Sequence, residues 1–428
     1  MQPRPPCHPA FRYDPHHSVQ KLLTAKDAEN CRRERRAKQW PQDFLRALGG
    51  FSPRSRRLKA LRLELPKPRS LYNAEVKTWD VIIIGGGIIG LSLSIALRKR
   101  GATVLIVERG EPGREASHAA GGMLVDCLLE TPAALQPLAT ASARMYPEFA
   151  HEMEIESGMK VDLRDQGTIW FPSVEHLLQA QASGSPPATL AELELCLTGT
   201  NRDRPAFYLK ERSVDPRALS RAAWQAAKHR GVDFSSGDEV TAVTITDGRA
   251  VGVTTTKTAF HAAKIVNCAG AWSGQIGPHR LPTRPVKGQM LCLLMPSPTF
   301  LKHVIRAPEA YLIPRTDGRL LVGATVEEAG FDKRTDIPTI QRLHRAALAL
   351  LPELRNAKIL EDWAGLRPGT PDALPILGAT STPGYYVATG HFRDGILLSP
   401  ITAEVMTAII EGRIPEYDLC PFSPARFD

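Results

Sequence analysis

Trp79–Gly110 reads WDVIIIGGGIIGLSLSIALRKRGATVLIVERG. Val81–Ile84 is an unbroken β-branched run, the pattern of a strand buried on both faces. It leads directly into Gly85-Gly86-Gly87-Ile88-Ile89-Gly90. Small and apolar residues then continue to about Arg100 with the length of a helix, Gly101 closes it, and Thr103–Glu108 reads as a second strand ending in an acid. The uncharged run Val81–Leu97 falls short of the ~20 residues of a membrane span. It also contains four glycines and two serines, which strand, turn and helix explain better than a bilayer.

Gly85, Gly87 and Gly90 satisfy GxGxxG, and each has a mechanical reason. Gly85 permits the tight turn, Gly87 lets a pyrophosphate approach the backbone, and Gly90 lets the helix pack on the strand. The helix N-terminus offers its amides to the phosphates. Glu108, 23 residues after Gly85, suits the ribose hydroxyls of a dinucleotide, and an acid there disfavours a 2′-phosphate, hence NADP. The next residues, RGEPGREASHAAGGM (Arg109–Met123), are mostly small. They suit a chain lying against a flat cofactor, or a tight helix contact, and composition leaves both open.

Of 428 residues, the first 75 hold 17 Lys and Arg against 7 Asp and Glu, whereas the remainder holds 37 against 38. The whole excess of +9 therefore lies in the N-terminal segment, and the body lacks the basic footprint of a nucleic-acid binder. That segment is proline- and arginine-rich and reads as a disordered extension with a short helix near Ala25–Lys38. Its interspersed acids and missing apolar core argue against a transit or secretory peptide. No Met falls between Met1 and Met123, so a mis-assigned start near residue 75 needs a non-Met codon. Cys7, Cys31, Cys127, Cys196, Cys268, Cys292 and Cys420 never form CxxC, which fits a reducing, cytoplasmic setting and no cysteine metal site. The histidines show no ligand spacing either, so no metal is expected.

Further along, Val214–Arg230 reads as an amphipathic helix with Asp215 before Pro216 at its start and Gly231 at its end. Glu239–Thr246, Asp247-Gly248 and Ala250–Thr256 read as a hairpin, and Lys264–Asn267 as a strand. Tyr311 opens a strand whose partner begins at Arg319, after the Thr316-Asp317-Gly318 turn. Two arginines stand in apolar, glycine-bearing surroundings: Arg367 in WAGLRPGT (Trp363–Thr370) and Arg393 in GHFRDGILLSP (Gly390–Pro400). A buried cation is costly unless paired. Both are therefore structural ion pairs or wait for an anionic ligand. Ile396 to about Glu411 reads as a helix with Pro400 in its first turn and Gly412 past its end.

REASHAAGGML (Arg114–Leu124), NCAGAWS (Asn267–Ser273), AYLIPRTDGRLLVGATVEE (Ala310–Glu328) and the two arginine motifs together resemble the D-amino-acid-oxidase-like flavoproteins. Within them the chain is most similar to the glycine oxidase of thiamine biosynthesis, over about residues 78–415. The resemblance implies an α/β fold: a discontinuous Rossmann-like FAD-binding domain from 76–160, 211–283 and 358–428. A substrate domain on a mixed, largely antiparallel sheet would come from 161–210 and 284–357, with 1–75 as the extension.

Carried over by position, Ile88 and Ile89 lie under the FAD pyrophosphate, and Glu108 with Arg109 meets the adenosine. Ala116 and Ser117 contact phosphate and ribitol, Gly121, Gly122 and Met123 lie along the flavin, and Val240 offers its backbone to adenine. His391, Phe392, Arg393, Asp394, Gly395, Ile396 and Leu397 contact the isoalloxazine. Arg393 and Arg367 contact the substrate, Arg393 clamping its carboxylate, and Tyr311 helps hold that carboxylate. Val326 stands where a related oxidase carries a methionine, which opens the pocket to sarcosine or small D-amino acids beside glycine. His118 is one place from the histidine that carries covalent FAD in related dehydrogenases, and noncovalent binding is the favoured expectation.

The implied reaction is oxidative deamination of a small amino acid, with oxygen reduced to hydrogen peroxide and the imine passed to thiazole synthase or hydrolysed. No acid–base side chain is strictly required. A homotetramer is also implied. The alternatives are a D-amino-acid or sarcosine dehydrogenase feeding a quinone or carrier, and a non-catalytic FAD-binding assembly protein.

Overall fold

The computed structural model describes residues 77–427 apart from 127–130, 183 and 185. The N-terminal extension with its expected helix, and Cys7, Cys31 and Cys127, lie outside the described residues.

The decisive stretch forms the strand Thr78–Ile84, the helix Ile88–Lys99 and the strand Val104–Glu108. Its apolar run is continuous because alternate side chains enter two cores. Val81, Ile83, Val104 and Ile106 pack with the helices. Ile82, Ile84, Leu105 and Val107 pack on the opposite face with Val240 and Val253.

Thr78–Ile84 pairs in parallel with Val104–Glu108 on one side and with Ala259–Asn267 on the other. Asp233–Ser236 and Tyr385–Thr389 extend the parallel array at its two ends, and Ile376–Ala379 closes one edge antiparallel. The expected hairpin is present as Val240–Thr246 and Arg249–Thr255, attached antiparallel to Ala259–Asn267 and completing an eight-stranded sheet.

The helix Pro216–His229 starts as its sequence dictates. The Asp215 carboxylate accepts from the amides of Arg217 and Ala218, and Pro216 occupies the first turn. The long helix Gln136–Ser157, which the sequence motifs did not announce, packs beside it.

A second, seven-stranded sheet runs in the order Ile359–Gly369, Arg284–Leu294, Arg319–Gly323, Tyr311–Pro314, Val304–Arg306, Thr168–Trp170, Phe207–Leu209. Its pairs are antiparallel except Val304–Arg306 with Thr168–Trp170, so it is mixed and largely antiparallel, as expected. Alternation again separates two faces. Leu291, Leu293, Leu312, Leu320 and Val322 pack with the helix Ile337–Leu350. Met290, Cys292, Ile313 and Leu321 form the other face with Met123, Tyr311 and Trp363. Residues 359–369, grouped with the nucleotide segments by the sequence reading, form an edge strand here and pair along Arg284–Leu293.

Among the described residues, Cys196, Cys268, Cys292 and Cys420 are free thiols. No helix there is long and apolar enough to cross a membrane, and no cluster of three or more His, Cys, Asp or Glu is placed to hold a metal ion.

Candidate active site

A cleft of about 890 Å³ is lined by the glycine-loop strand–helix junction, by the tail turn and by the apolar face of the second sheet. This is at the large end for ligand sites.

Its glycines fall into two kinds. Gly85 has φ +103°, and a Cβ there would stand 2.6 Å from the Cys268 carbonyl oxygen. A Cβ on Gly90 would collide with the Gly85 carbonyl oxygen, and one on Gly122 would meet Pro216 Cγ at 2.7 Å. The protein's own backbone demands glycine at these three. Gly87 has an ordinary φ of −71°. The nearest atom to a Cβ there would be Ser117 Oγ at 3.4 Å, and at Gly395 it would be His391 Cβ at 3.4 Å. Both line the cleft, so what glycine preserves there is open backbone facing it. That is the cradle a flat, extended dinucleotide requires, and the residues present fit one.

At one end, Ile88 and Ile89 line the cleft in the first turn of their helix, where amides lack intrahelical partners. Ser117 Oγ accepts from the Ile88 amide at 3.0 Å, and Ala116 lies beside it on the short helix Ala116–Ala119. The buried Glu108 carboxylate accepts from the amides of Gly86 and Gly110, each at 2.8 Å. Two oxygens with about four acceptor sites leave room for ribose hydroxyls. Arg109 stacks 3.5 Å over the Trp272 ring and pairs with Glu115 at 2.8 Å. Val240 opens its strand at this end and also lines the cleft.

In the middle, Gly121, Gly122 and Met123 pass in front of the second sheet. A Cβ on Gly121 would stand 2.7 Å from Ile313 Cδ1 and 3.5 Å from Tyr311 Cε2. The fully buried Arg315 donates to the Gly121 carbonyl at 2.5 Å. Burial pushes that guanidinium down to about 10.

The tail turn, residues 391–396, faces them. His391 is buried with Nε2 3.1 Å from Thr402 Oγ1, and burial pushes it down to about 3, so it is neutral. Phe392 has φ +44°, a left-handed conformation costing a bulky residue about 1–3 kcal/mol. Its amide donates to the Pro368 carbonyl at 3.0 Å. The carbonyls of Ile396 and Leu397 are held by Tyr146 at 2.7 Å and Ser142 at 2.6 Å, both on the long helix.

Two expected contacts do not line the cleft. Gly90 sits behind the loop, and Leu397 points its bulk into the core, 1% exposed. The tail helix begins at Ser399 rather than Ile396, because residues 395–398 form a turn that these two hydroxyls pin. His118 is also off the lining, and its carbonyl accepts from Arg217 at 3.3 Å. Burial first, then Arg217 and Arg114, push its ring down to about 4.

At the other end three arginines line the cleft, and they are not alike. Arg306 is buried and donates to both Glu211 oxygens, at 3.0 and 3.3 Å. Arg367 donates instead to the carbonyls of Thr325 at 3.0 Å and Lys287 at 3.4 Å. Its guanidinium lies across Gly288, where a Cβ would stand 2.6 Å from Cζ. Arg393 is exposed, 5.7 Å from the Phe392 ring. Neither Arg367 nor Arg393 has a carboxylate partner among the described residues, so the ion-pair explanation of these two cations is set aside there.

The half-buried Tyr311 hydroxyl donates to Met290 Sδ at 3.3 Å. Burial pushes it above the usual tyrosine range, against the opposing pull of Arg367 and then Arg393, so it remains a protonated donor. Val326 stands at the rim, 64% exposed.

Gly288, Met290 and Gly323 at this end escaped the sequence reading. A glycine inside a strand marks close approach of another group, and Gly288 in VKGQM carried that signal. Met290 carried none.

This dinucleotide cleft backed by a mixed sheet defines a class. The chain belongs to the FAD dependent oxidoreductase family, whose profile matches residues 80–409, and its cofactor is FAD. More particularly, it is similar to the glycine oxidase of Pseudomonas aeruginosa, 32% identical over 81% of this chain and 98% of that protein. A bifunctional ThiO/ThiG protein of Trichormus variabilis is 35% identical over 82% of this chain but 55% of its own length. The chain thus spans about half the length of such curated relatives. The crystal structure of glycine oxidase from Geobacillus kaustophilus superposes with a TM-score of 0.76 at 32% identity, covering 82% of this chain and 99% of that one.

Proposed function

We propose that the protein is an FAD-dependent oxidase that deaminates glycine or a similarly small amino acid. The observation that carries this is the pair of cations, Arg367 and Arg393, without carboxylate partners among the described residues, at the flavin-side end of the cleft beside the protonated Tyr311. A guanidinium binds carboxylate with two parallel donors and keeps its charge at any physiological pH. Arg393 clamps the substrate carboxylate, Arg367 presents a second guanidinium, and Tyr311 supplies a neutral hydrogen bond.

When held along the glycines, FAD would supply the two-electron redox chemistry for oxidising the amino acid, with oxygen as final acceptor and hydrogen peroxide as product. The chain's part is positioning and a fixed electrostatic field, and no side-chain acid or base is needed for that oxidation. The neutral, buried His391 supports the turn rather than moving a proton.

The eight-stranded sheet with 76–160, 211–283 and the tail serves the dinucleotide, and the seven-stranded sheet, now taking 359–369, serves the substrate. Noncovalent FAD is favoured because the His118 ring is not on the cleft lining. Intact-mass measurement of denatured protein tests this, and a flavin adduct overturns it. The bifunctional relatives favour passing the imine to a thiazole synthase. A homotetramer, checked by light scattering, and a cytoplasmic setting complete the reading.

The experiment is anaerobic addition of glycine, sarcosine and small D-amino acids, followed by air. Bleaching of the flavin band and then peroxide release support the oxidase. Bleaching without peroxide assigns a dehydrogenase, and no bleaching assigns a non-catalytic flavoprotein.

A further inference from the structure

Residues 324–336 join the strand Arg319–Gly323 to the helix Ile337–Leu350 with no regular structure beyond one isolated bridge from Glu327 to Lys287. A connection this long within a compact fold is uncommon and usually functional. Its two ends meet at a single residue, Gln289, which is fully buried. Gln289 Nε2 donates to Glu327 Oε1 at 3.0 Å and to Asp336 Oδ2 at 2.6 Å. Gln289 Oε1 accepts from the Asp336 backbone amide at 3.0 Å. Thr325 is reached from this side chain through Glu327, whose Oε1 also accepts from Thr325 Oγ1, while the Gln289 backbone amide donates to Thr325 Oγ1 at 2.9 Å. The far end of the loop is tied to the dinucleotide side, with the Phe331 ring 5.2 Å from Trp272 and Lys333 3.1 Å from Glu115.

The neck matters because of what leans on it. Arg367 Nη1 donates to the Thr325 carbonyl at 3.0 Å and to the Lys287 carbonyl at 3.4 Å. These acceptors flank Gln289, one across the neck and one two residues before it in sequence. A guanidinium held by neutral carbonyls keeps its full charge, so its direction depends on where those carbonyls sit. We propose that Gln289 is a positioning residue for Arg367: its side chain holds Glu327 and Asp336 at the loop neck, and Glu327, which accepts from Thr325 Oγ1, thereby fixes the Thr325 carbonyl that aims the guanidinium into the cleft. This rests on reading Arg367 as a substrate-carboxylate contact. A supporting shell that slips by about 1 Å costs a bound ligand far more than its own bonds suggest.

The test uses flavin-loaded enzyme and acetate, a carboxylate with no amine, followed by the change in flavin absorbance. Arg367→Ala should raise the acetate dissociation constant ~100-fold. Gln289→Leu should raise it ~10-fold, with the amino-acid KM rising in step and kcat nearly kept. The double variant should be no worse than Arg367→Ala alone, because Gln289 acts through that residue. Parental acetate binding by Gln289→Leu overturns the proposal and leaves the reading of Arg367 intact. So does a ~10-fold loss that persists without Arg367. Parental acetate binding by Arg367→Ala overturns the reading of Arg367 and the proposal with it. Should Gln289→Leu fail to fold, Glu327→Ala removes one neck acceptor, and the same outcomes apply to it.

Discussion

The two ends of the cleft are built on different principles. The dinucleotide end comes mainly from one stretch, Ile84–Ser117, joined by Val240 and Trp272, and works mostly through backbone: turns, first-turn amides and a carboxylate aimed by two amides. The end proposed to take the substrate gathers Gly288, Tyr311, Gly323, Arg367 and Arg393 from strands and turns far apart in the chain, and works through side chains. Backbone geometry follows from local sequence, whereas a side-chain constellation exists only once two sheets face each other. Damage at the first end should therefore fall on folding and cofactor retention, and at the second on the amino acid alone.

Gly90→Ala breaks the comparison most severely. Its Cβ collides with a backbone carbonyl that cannot swing aside, so the apoprotein should lose about 3 kcal/mol and retain little FAD, read by thermal melting and flavin content. Gly87→Ala is its control. With no atom of the described residues nearer than 3.4 Å, it should leave the apoprotein melting as before while weakening FAD binding.

Arg393→Ala should do the opposite, raising the amino-acid KM ~100-fold with flavin content unchanged. A KM close to the parent's would remove Arg393 from the clamp. Glu108→Gln keeps shape but loses the charge that meets the amides of Gly86 and Gly110, and ~10-fold weaker FAD binding is expected in equilibrium dialysis.

The smallest effect near neutrality is in pH. His391, pushed to about 3 by burial, stays neutral in the folded chain, while its unfolded form titrates near 6.5. Between those values the unfolded state binds more protons, so stability should fall as pH drops from 6.5 toward 3. His391 contributes at most about 1.4 kcal/mol per pH unit, and His118, depressed to about 4 but half solvated, contributes less. His391→Gln should flatten this acid slope in denaturant titrations, and an unchanged slope would assign the acid sensitivity to other groups.

Much of the fold was legible in advance. The strand–loop–helix–strand unit, the Asp215-capped helix, the Val240–Thr255 hairpin and the Tyr311–Gly323 turn all appear within a few residues of where the pattern placed them. Each is specified locally, by alternation, caps and turn residues. The tail helix is the instructive discrepancy, because Ile396–Leu398 have helical sequence yet form a turn. Ser142 and Tyr146, more than 240 residues earlier, take the carbonyls of Ile396 and Leu397, and no local pattern reveals that.

The sequence by itself determined a dinucleotide-binding unit and nominated two arginines in apolar surroundings, because backbone turns, burial periodicity and charge are local properties. What those arginines do was decided only in three dimensions. Arg306, which the sequence did not nominate, acquires Glu211, whereas Arg367 acquires two carbonyls, a glycine to lie across and a loop neck closed by Gln289, and Arg393 stays exposed. Pairing depends on which groups the packed sheets bring within about 3 Å, and that distance is set by tertiary packing.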